Sequence, residues 1–248
     1  MAFGLKWAGA GVFCATEVRV QFHEWLAILT GTIVQAVLLI FVWVLAPALL
    51  AIALVGALVY SVFLIGQRVL NEAAYVRIDH KLNELYHASP MSPEAYFLGM
   101  SSGIFLAYLP PILVIAVITV LVAPFDLRTW GVLIACMLAV WSVSATLGYF
   151  ISTLFKDMKT IWPYSSLITN LLGIVPPVFY PLGLVPAGWR WLALVLPTSS
   201  ATALVNGAAG FEVLTSGDIL LAGGSLAVEA IALFFFGIYW ARRTAREA

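Results

Sequence analysis

From Leu26 to Ala46 the chain carries no charged side chain, and after Pro47 the same holds from Ala48 to Gln67. A hydrocarbon core about 30 Å thick is crossed by ~20 apolar residues in a helix. Inside it every backbone polar group needs a partner, so an open sheet cannot cross. Composition agrees with that reading. Of 248 residues 63% are hydrophobic and only 10% charged, against roughly a quarter charged in soluble domains. Twelve Lys and Arg balance twelve Asp and Glu. These figures exclude a soluble enzyme, a disordered chain and a nucleic-acid binder that relies on a basic field. What remains is an all-α, multi-pass membrane protein with little mass outside the bilayer. Two cysteines, Cys14 and Cys136, exclude a disulfide framework or a multi-thiolate metal site.

Six spans are expected: 26–46, 48–69, 102–123, 130–155, 161–175 and 219–240. Pro47 suits the first turn of the second helix, where its missing N–H costs little. The chain divides as one membrane domain over 1–248: an interfacial segment 1–25, spans one and two in 26–70, a polar loop 71–100, spans three to five in 101–175, a Pro-rich segment 176–218, and span six with its tail in 219–248. Lys6 is the only charge before Glu17 and Arg19, and no long apolar run precedes them. A cleaved secretory signal is therefore not expected. With both termini cytoplasmic, ten Lys and Arg fall inside and only Arg128 and Arg190 outside. That bias sets the orientation in a plasma membrane.

Three segments are not spans. Over residues 3–25, Phe3, Trp7, Cys14, Val18, Phe22 and Trp25 recur at three- and four-residue spacings, with Lys6, Glu17, Arg19 and Glu24 between them. That pattern suits an amphipathic helix lying in the membrane surface, the alternative being a partly ordered tail. In the loop 71–100, Asp79 can cap a short helix from His80 to Ala88, with Leu82, Leu85 and Tyr86 on one face. Pro90 ends it. Ser92 caps the next helix, with Pro93 at its first position and Glu94 in its first turn. Geometry alone leaves open whether this is an ordinary corner or a docking element. The run 178–196 is too Pro-rich to span and too apolar for an aqueous loop, so protein must bury it.

Two of these stretches resemble a known family. Glu84-Leu85 through Ser89-Pro90-Met91-Ser92-Pro93, then Gly99, is similar to the coupling-helix region of type 2 ABC exporter permeases, including the daunorubicin-resistance-type and nodulation-type. Lys81 and Leu82 stand where that family has Gly and Thr. The Pro176-Pro177-Val178-Phe179-Tyr180-Pro181 block, Leu184-Val185-Pro186, Trp189-Arg190-Trp191-Leu192 and Leu196-Pro197-Thr198-Ser199 resemble its Pro-broken segment, with Leu196 in place of Asn and Asn206 where Arg is common. The likeness covers residue 15 onward. It implies extracytoplasmic re-entrant helices and an ATPase contact at Asp79, His80, Lys81, Glu84, Tyr86, His87, Ser89 and Pro90. It also implies a substrate path through spans one, two and five, at Gln35, Trp43, Tyr60, Ser166, Asn170 and Phe179, where ordinary packing is the competing reading. The partners implied are ABC ATPase subunits, a second permease copy or paralogue, and membrane lipids, with no nucleic acid.

No Gly-x-x-x-x-Gly-Lys-Ser/Thr loop occurs, so ATP and Mg would be handled by another chain, and this one needs no cofactor. No catalytic triad or metal motif occurs either. His80 and His87 lack a third ligand. Glu229 is the one acid deep in a span, at a cost of about 2.5–3.5 kcal/mol on insertion scales. It is either a substrate- or proton-linked carboxyl, or a structural one bonded to Ser142, Ser144, Thr169 or Asn170. The nearly charge-free spans imply an apolar or amphipathic cargo, a lipid or hydrophobic drug. The rivals are an ion-gradient-driven transporter or channel that couples through Glu229, and a scaffold without transport.

Overall fold

The computed structural model describes residues 2–23, 25–78, 91–123 and 125–247. Every regular element among them is helical. In chain order these are α1 (Ala2–His23), α2 (Trp25–Leu45), a 3-10 turn (Pro47–Leu49), α3 (Leu50–Ile78), α4 (Pro93–Ala107), α5 (Leu109–Val122), α6 (Leu127–Ser152), α7 (Met158–Gly173), two further 3-10 turns, α8 (Arg190–Val195), α9 (Pro197–Ala208) and α10 (Ser216–Glu247). Among the described residues, four helices are long and apolar enough to cross a membrane, or five if the bent pair α4–α5 makes one span. At sixteen residues α7 is short of that length.

The caps explain where several helices begin. Ser92 accepts from the Ala95 N–H at 3.3 Å, Asp126 from Thr129 N–H at 2.8 Å, and Asp157 from Thr160 N–H at 2.8 Å. Each satisfies a donor that the first turn leaves without an intrahelical partner. The third expected span, 102–123, is not one straight helix. It bends by 47° at Tyr108, because Pro110 and Pro111 lack the N–H groups that would continue the α4 ladder. The second span does not stop near Arg68. The helix continues to Ile78, since Leu70, Ala73, Ala74 and Val76 keep an apolar face buried past the first charge.

At the centre stands α3, buried along most of its length. Its broadest contact is with α6. Gly66 and Gly148 face one another there, and a Cβ on either would run into the other helix's backbone. Small residues at such a crossing let the backbones approach and pack closely. On another side, α7 lies against α3 through Ile161, Ser165, Thr169 and Gly173, one residue per turn. α10 packs on α6, where Ser142 Oγ donates to the Ala230 carbonyl at 3.2 Å and Phe150 meets Phe236 and Trp240. Most of α2 is bare: only 6% of its apolar window is buried.

α1 is a helix, as expected, and it packs along α4. Its buried stripe is Phe13, Glu17 and Gln21, offset from the expected apolar face. Gly99 and Gly103 on α4 leave room only for the α1 backbone, at Ala10 and Cys14. Phe22 and Trp25 remain exposed.

The Pro-rich segment is buried only toward its two ends, at Val178, Leu182, Ala193 and Leu194; contrary to expectation, Leu184, Trp189 and Trp191 between them are exposed, and α8 and α9 meet at Leu196-Pro197. Thr198 Oγ1 donates to the Leu172 carbonyl at 2.9 Å and Ser200 Oγ to that of Leu194 at 2.6 Å, while Ser199 serves Ala193. The carbonyls freed by the break are thereby satisfied.

Candidate functional site: the seam between α3 and α7

Tyr60, near the middle of α3, joins three elements. Its hydroxyl donates to Asn170 Oδ1 on α7 at 3.4 Å. Its ring meets Phe179 edge-on, with centroids 5.6 Å apart. It also fills the space left by the missing side chain of Gly173. Asn170 Nδ2 in turn donates to Ser166 Oγ at 3.3 Å. The next residue, Ser61, donates to Gln35 Oε1 on α2 at 2.8 Å. Gln35, Tyr60, Ser166, Asn170 and Phe179 are therefore linked across α2, α3, α7 and the Pro-rich segment. Trp43 does not join them: it is 62% exposed near the end of α2.

Sequence reasoning passed over the lower half of the seam. A cleft of about 510 Å³ opens there between α1, α3 and α7, lined by Gln21, Gln67, Arg68, Asn71, Glu72, Tyr75, Met158, Trp162, Ser165 and Ser166. Gln21 Nε2 donates to Glu72 Oε2 at 3.3 Å. The Arg68 guanidinium lies over the Tyr108 ring, 5.6 Å from its centroid. Asn71 Oδ1 is buried without a hydrogen-bond partner. One cation, one anion, three amides and two hydroxyls thus share a space rimmed by Tyr75 and Trp162. Farther along, where α6 also borders the seam, the facing side chains are mostly apolar, Phe63, Leu70, Leu147, Ile151, Ile168 and Leu172, with Gln67, Ser144 and Thr169 among them. The signal that could have found this cleft is the apolar spacing Leu70, Ala73, Ala74, which carries the helix onward with Arg68, Asn71, Glu72 and Tyr75 on its other faces.

The cleft sits at the basic end of the molecule. Here Arg77 donates to the carbonyls of Ser152 and Phe155, each at 2.5 Å, and of Thr153 at 3.3 Å. Trp240 Nε1 donates to Thr153 Oγ1 at 3.1 Å, and Arg242 pairs with Glu94 at 3.1 Å. The expected contact set Asp79, His80, Lys81, Glu84, Tyr86, His87, Ser89 and Pro90 lies outside the described residues. Glu229 Oε2 is buried without a hydrogen-bond partner. Of its expected partners, Ser142 bonds to the Ala230 carbonyl, Ser144 to that of Trp141, and Asn170 to Ser166 and Tyr60. Cys136 is buried among apolar neighbours.

A bundle with several apolar spans, a polar cleft at one end and a broken, partly buried segment near the other has the general form of a membrane permease. The family model for the ABC-2 type transporter matches residues 12–208. The chain belongs to that family: it is a multi-pass membrane permease component of an ABC transporter. The match gives no support to an ion-gradient-driven transporter. No curated protein matched the chain.

Proposed function

We propose that this chain is the permease half of an ATP-driven exporter that carries an apolar or amphipathic cargo, a lipid or hydrophobic drug, by alternating access. Two permease chains, identical or paralogous, form the path. Two ABC ATPase subunits bind ATP and Mg and dock under residues 79–90. Orientation follows the charge bias, with both termini and the basic end cytoplasmic in the plasma membrane. In this reading α7 completes a sixth span, and α8 and α9 re-enter from outside. α1 lies at the inner surface with Phe22 toward lipid, and Trp25 at the start of α2 faces lipid too.

The observation that supports the cargo class is the change of lining along the α3–α7 seam, polar at the basic end and mostly apolar beyond it. An amphiphile has the same division. Its polar end would sit among Gln67, Asn71, Glu72 and Ser166, and its apolar tail would follow Tyr60 and Phe179. A strongly hydrated ion would need a continuous set of polar ligands through the apolar stretch of the seam.

The test is reconstitution of the chain, with a partner ABC ATPase, into vesicles carrying fluorescent short-chain phospholipid. Nucleotide-dependent movement of the lipid, absent without the ATPase or with a hydrolysis-dead ATPase, is the expected result. Equal movement without nucleotide would overturn it.

A further inference from the structure

Residues 79–90 are flanked by two anchors. Before them, Arg77 at the end of α3 spreads its guanidinium over three carbonyls at the end of α6, those of Ser152, Thr153 and Phe155. After them, Glu94 in the first turn of α4 pairs with Arg242 near the end of α10. The two anchors differ in kind. The Glu94–Arg242 pair is partly exposed, with Arg242 58% accessible, and exposed pairs contribute little. Arg77 is half-buried, and its bonds are charge-assisted, made to carbonyls that have lost their intrahelical partners. A cation at a helix C-terminus also meets the negative end of the helix dipole. A planar fork reaching several oxygens at once is a geometry that Lys cannot copy.

What Arg77 holds is already stiff. α3 and α6 touch backbone to backbone at Gly66 and Gly148. α6 continues into α10 through Ser142 and Ala230, Phe150 and Phe236, and Thr153 and Trp240. α7 is attached more lightly: the Ile161, Ser165, Thr169 and Gly173 stripe lies on α3, Asn170 accepts from Tyr60, Tyr164 meets Phe155, and the Leu172 carbonyl accepts from Thr198. We infer that Arg77 is a positioning residue for transport: it clamps the end of α3 to the end of α6, so that a push from the ATPase side moves α3, α6 and α10 as one piece against α7 and works the cleft between α3 and α7. Without the clamp, the end of α3 bends away from α6 and the push is dissipated locally. This inference rests on the exporter reading above.

The experiment compares wild type, R77K and R77Q in the reconstituted complex with its ATPase. ATP hydrolysis and movement of fluorescent phospholipid are read in the same vesicles. Arg128→Gln, at the opposite end, is the control. For R77Q the expected result is hydrolysis within about twofold of wild type and transport at least tenfold lower, with R77K between them. A parallel fall in both activities would mark a structural role and overturn the inference. Hydrogen exchange without nucleotide or cargo supplies an arm independent of transport. Peptides covering 70–78 and 148–155 are expected to exchange faster together in R77Q, with the peptides around Gly66 unchanged. Unchanged exchange at both helix ends would also overturn the clamp. If wild type shows no nucleotide-driven transport, the exporter reading fails, and the exchange arm still decides whether Arg77 clamps the two helices. Should R77Q not fold, R77K carries both measurements.

Discussion

Tyr60 shows how unequally the ring and the hydroxyl of one side chain can contribute. Its hydroxyl reaches Asn170 over a long 3.4 Å, whereas its ring is buried between Gly173 and Phe179. Tyr60→Phe is expected to cost less than about 1 kcal/mol, and Tyr60→Ala about 3 kcal/mol or more through the cavity it leaves, both read as thermal midpoints in detergent. Glu212 behaves in another way. It accepts the Leu182 N–H at 2.7 Å, and burial holds its carboxyl above the ordinary 4.5 despite that bond and the nearby Arg190. The folded state therefore binds its proton more tightly than the unfolded chain does. Stability from this group is lost as pH rises from the ordinary value through the raised one. Glu212→Gln keeps an acceptor for Leu182 without the charge. It should melt higher than wild type at neutral pH, with the gap closing below about pH 4.5. Asp126 and Asp157 have the opposite sign. Hydrogen bonds from Thr129 and Thr160 hold them below the ordinary 3.8. Their capping contribution is complete above that value and fades as pH falls through the lowered one.

At the scale of elements, the α3–α6 crossing is the least forgiving contact. Gly66→Ala or Gly148→Ala has to push the backbones of both helices apart, and a loss of about 1–3 kcal/mol is expected for either. Gly131→Ala, on the same helix as Gly148 but facing open space, should be neutral or stabilising. Comparison of the three melting curves checks this. The sequence disclosed the helix starts well, because a cap is local chemistry: Ser92-Pro93 can be read from a few residues. The α4–α5 bend was missed: Pro110-Pro111 marks it, but the apolar run length reads as a single span. The buried face of α1 was beyond reach. Hydrophobicity selects Val18 and Phe22, whereas contact with Gly99 and Gly103 turns Phe13, Glu17 and Gln21 inward. The length of α3 was misread for a related reason, since Arg68 looks like a terminus until its partner Tyr108 is in place.

Across the whole molecule, polar groups are concentrated at the basic end, and the mostly apolar seam that leaves it keeps a short polar chain at Tyr60, Asn170 and Ser166. The chain of contacts from Gln35 to Phe179 was partly legible, because a polar residue inside an apolar run stands out. The cleft below it was not, because it is assembled from α1, α3 and α7, which are distant in sequence. Asn71→Leu places an apolar side chain where a buried acceptor now faces the cleft. On the exporter reading it is expected to raise the KM for a phospholipid cargo severalfold while leaving the melting midpoint within about 1 °C, since a leucine of similar volume removes an unsatisfied polar atom. A matching loss of stability would show that Asn71 is structural.

α2 has a further consequence. Apart from Gln35 on Ser61, little holds it to the rest of the chain, and residues such as Ile33, Val37, Phe41 and Val44 lie bare. A membrane helix with so few intramolecular contacts is vulnerable to extraction by quality-control proteases until something covers it. The lifetime of this protein in a cell should therefore be set by assembly more than by its own fold: pulse-chase labelling should show rapid turnover of the chain made alone, and slow turnover once its partners are made with it.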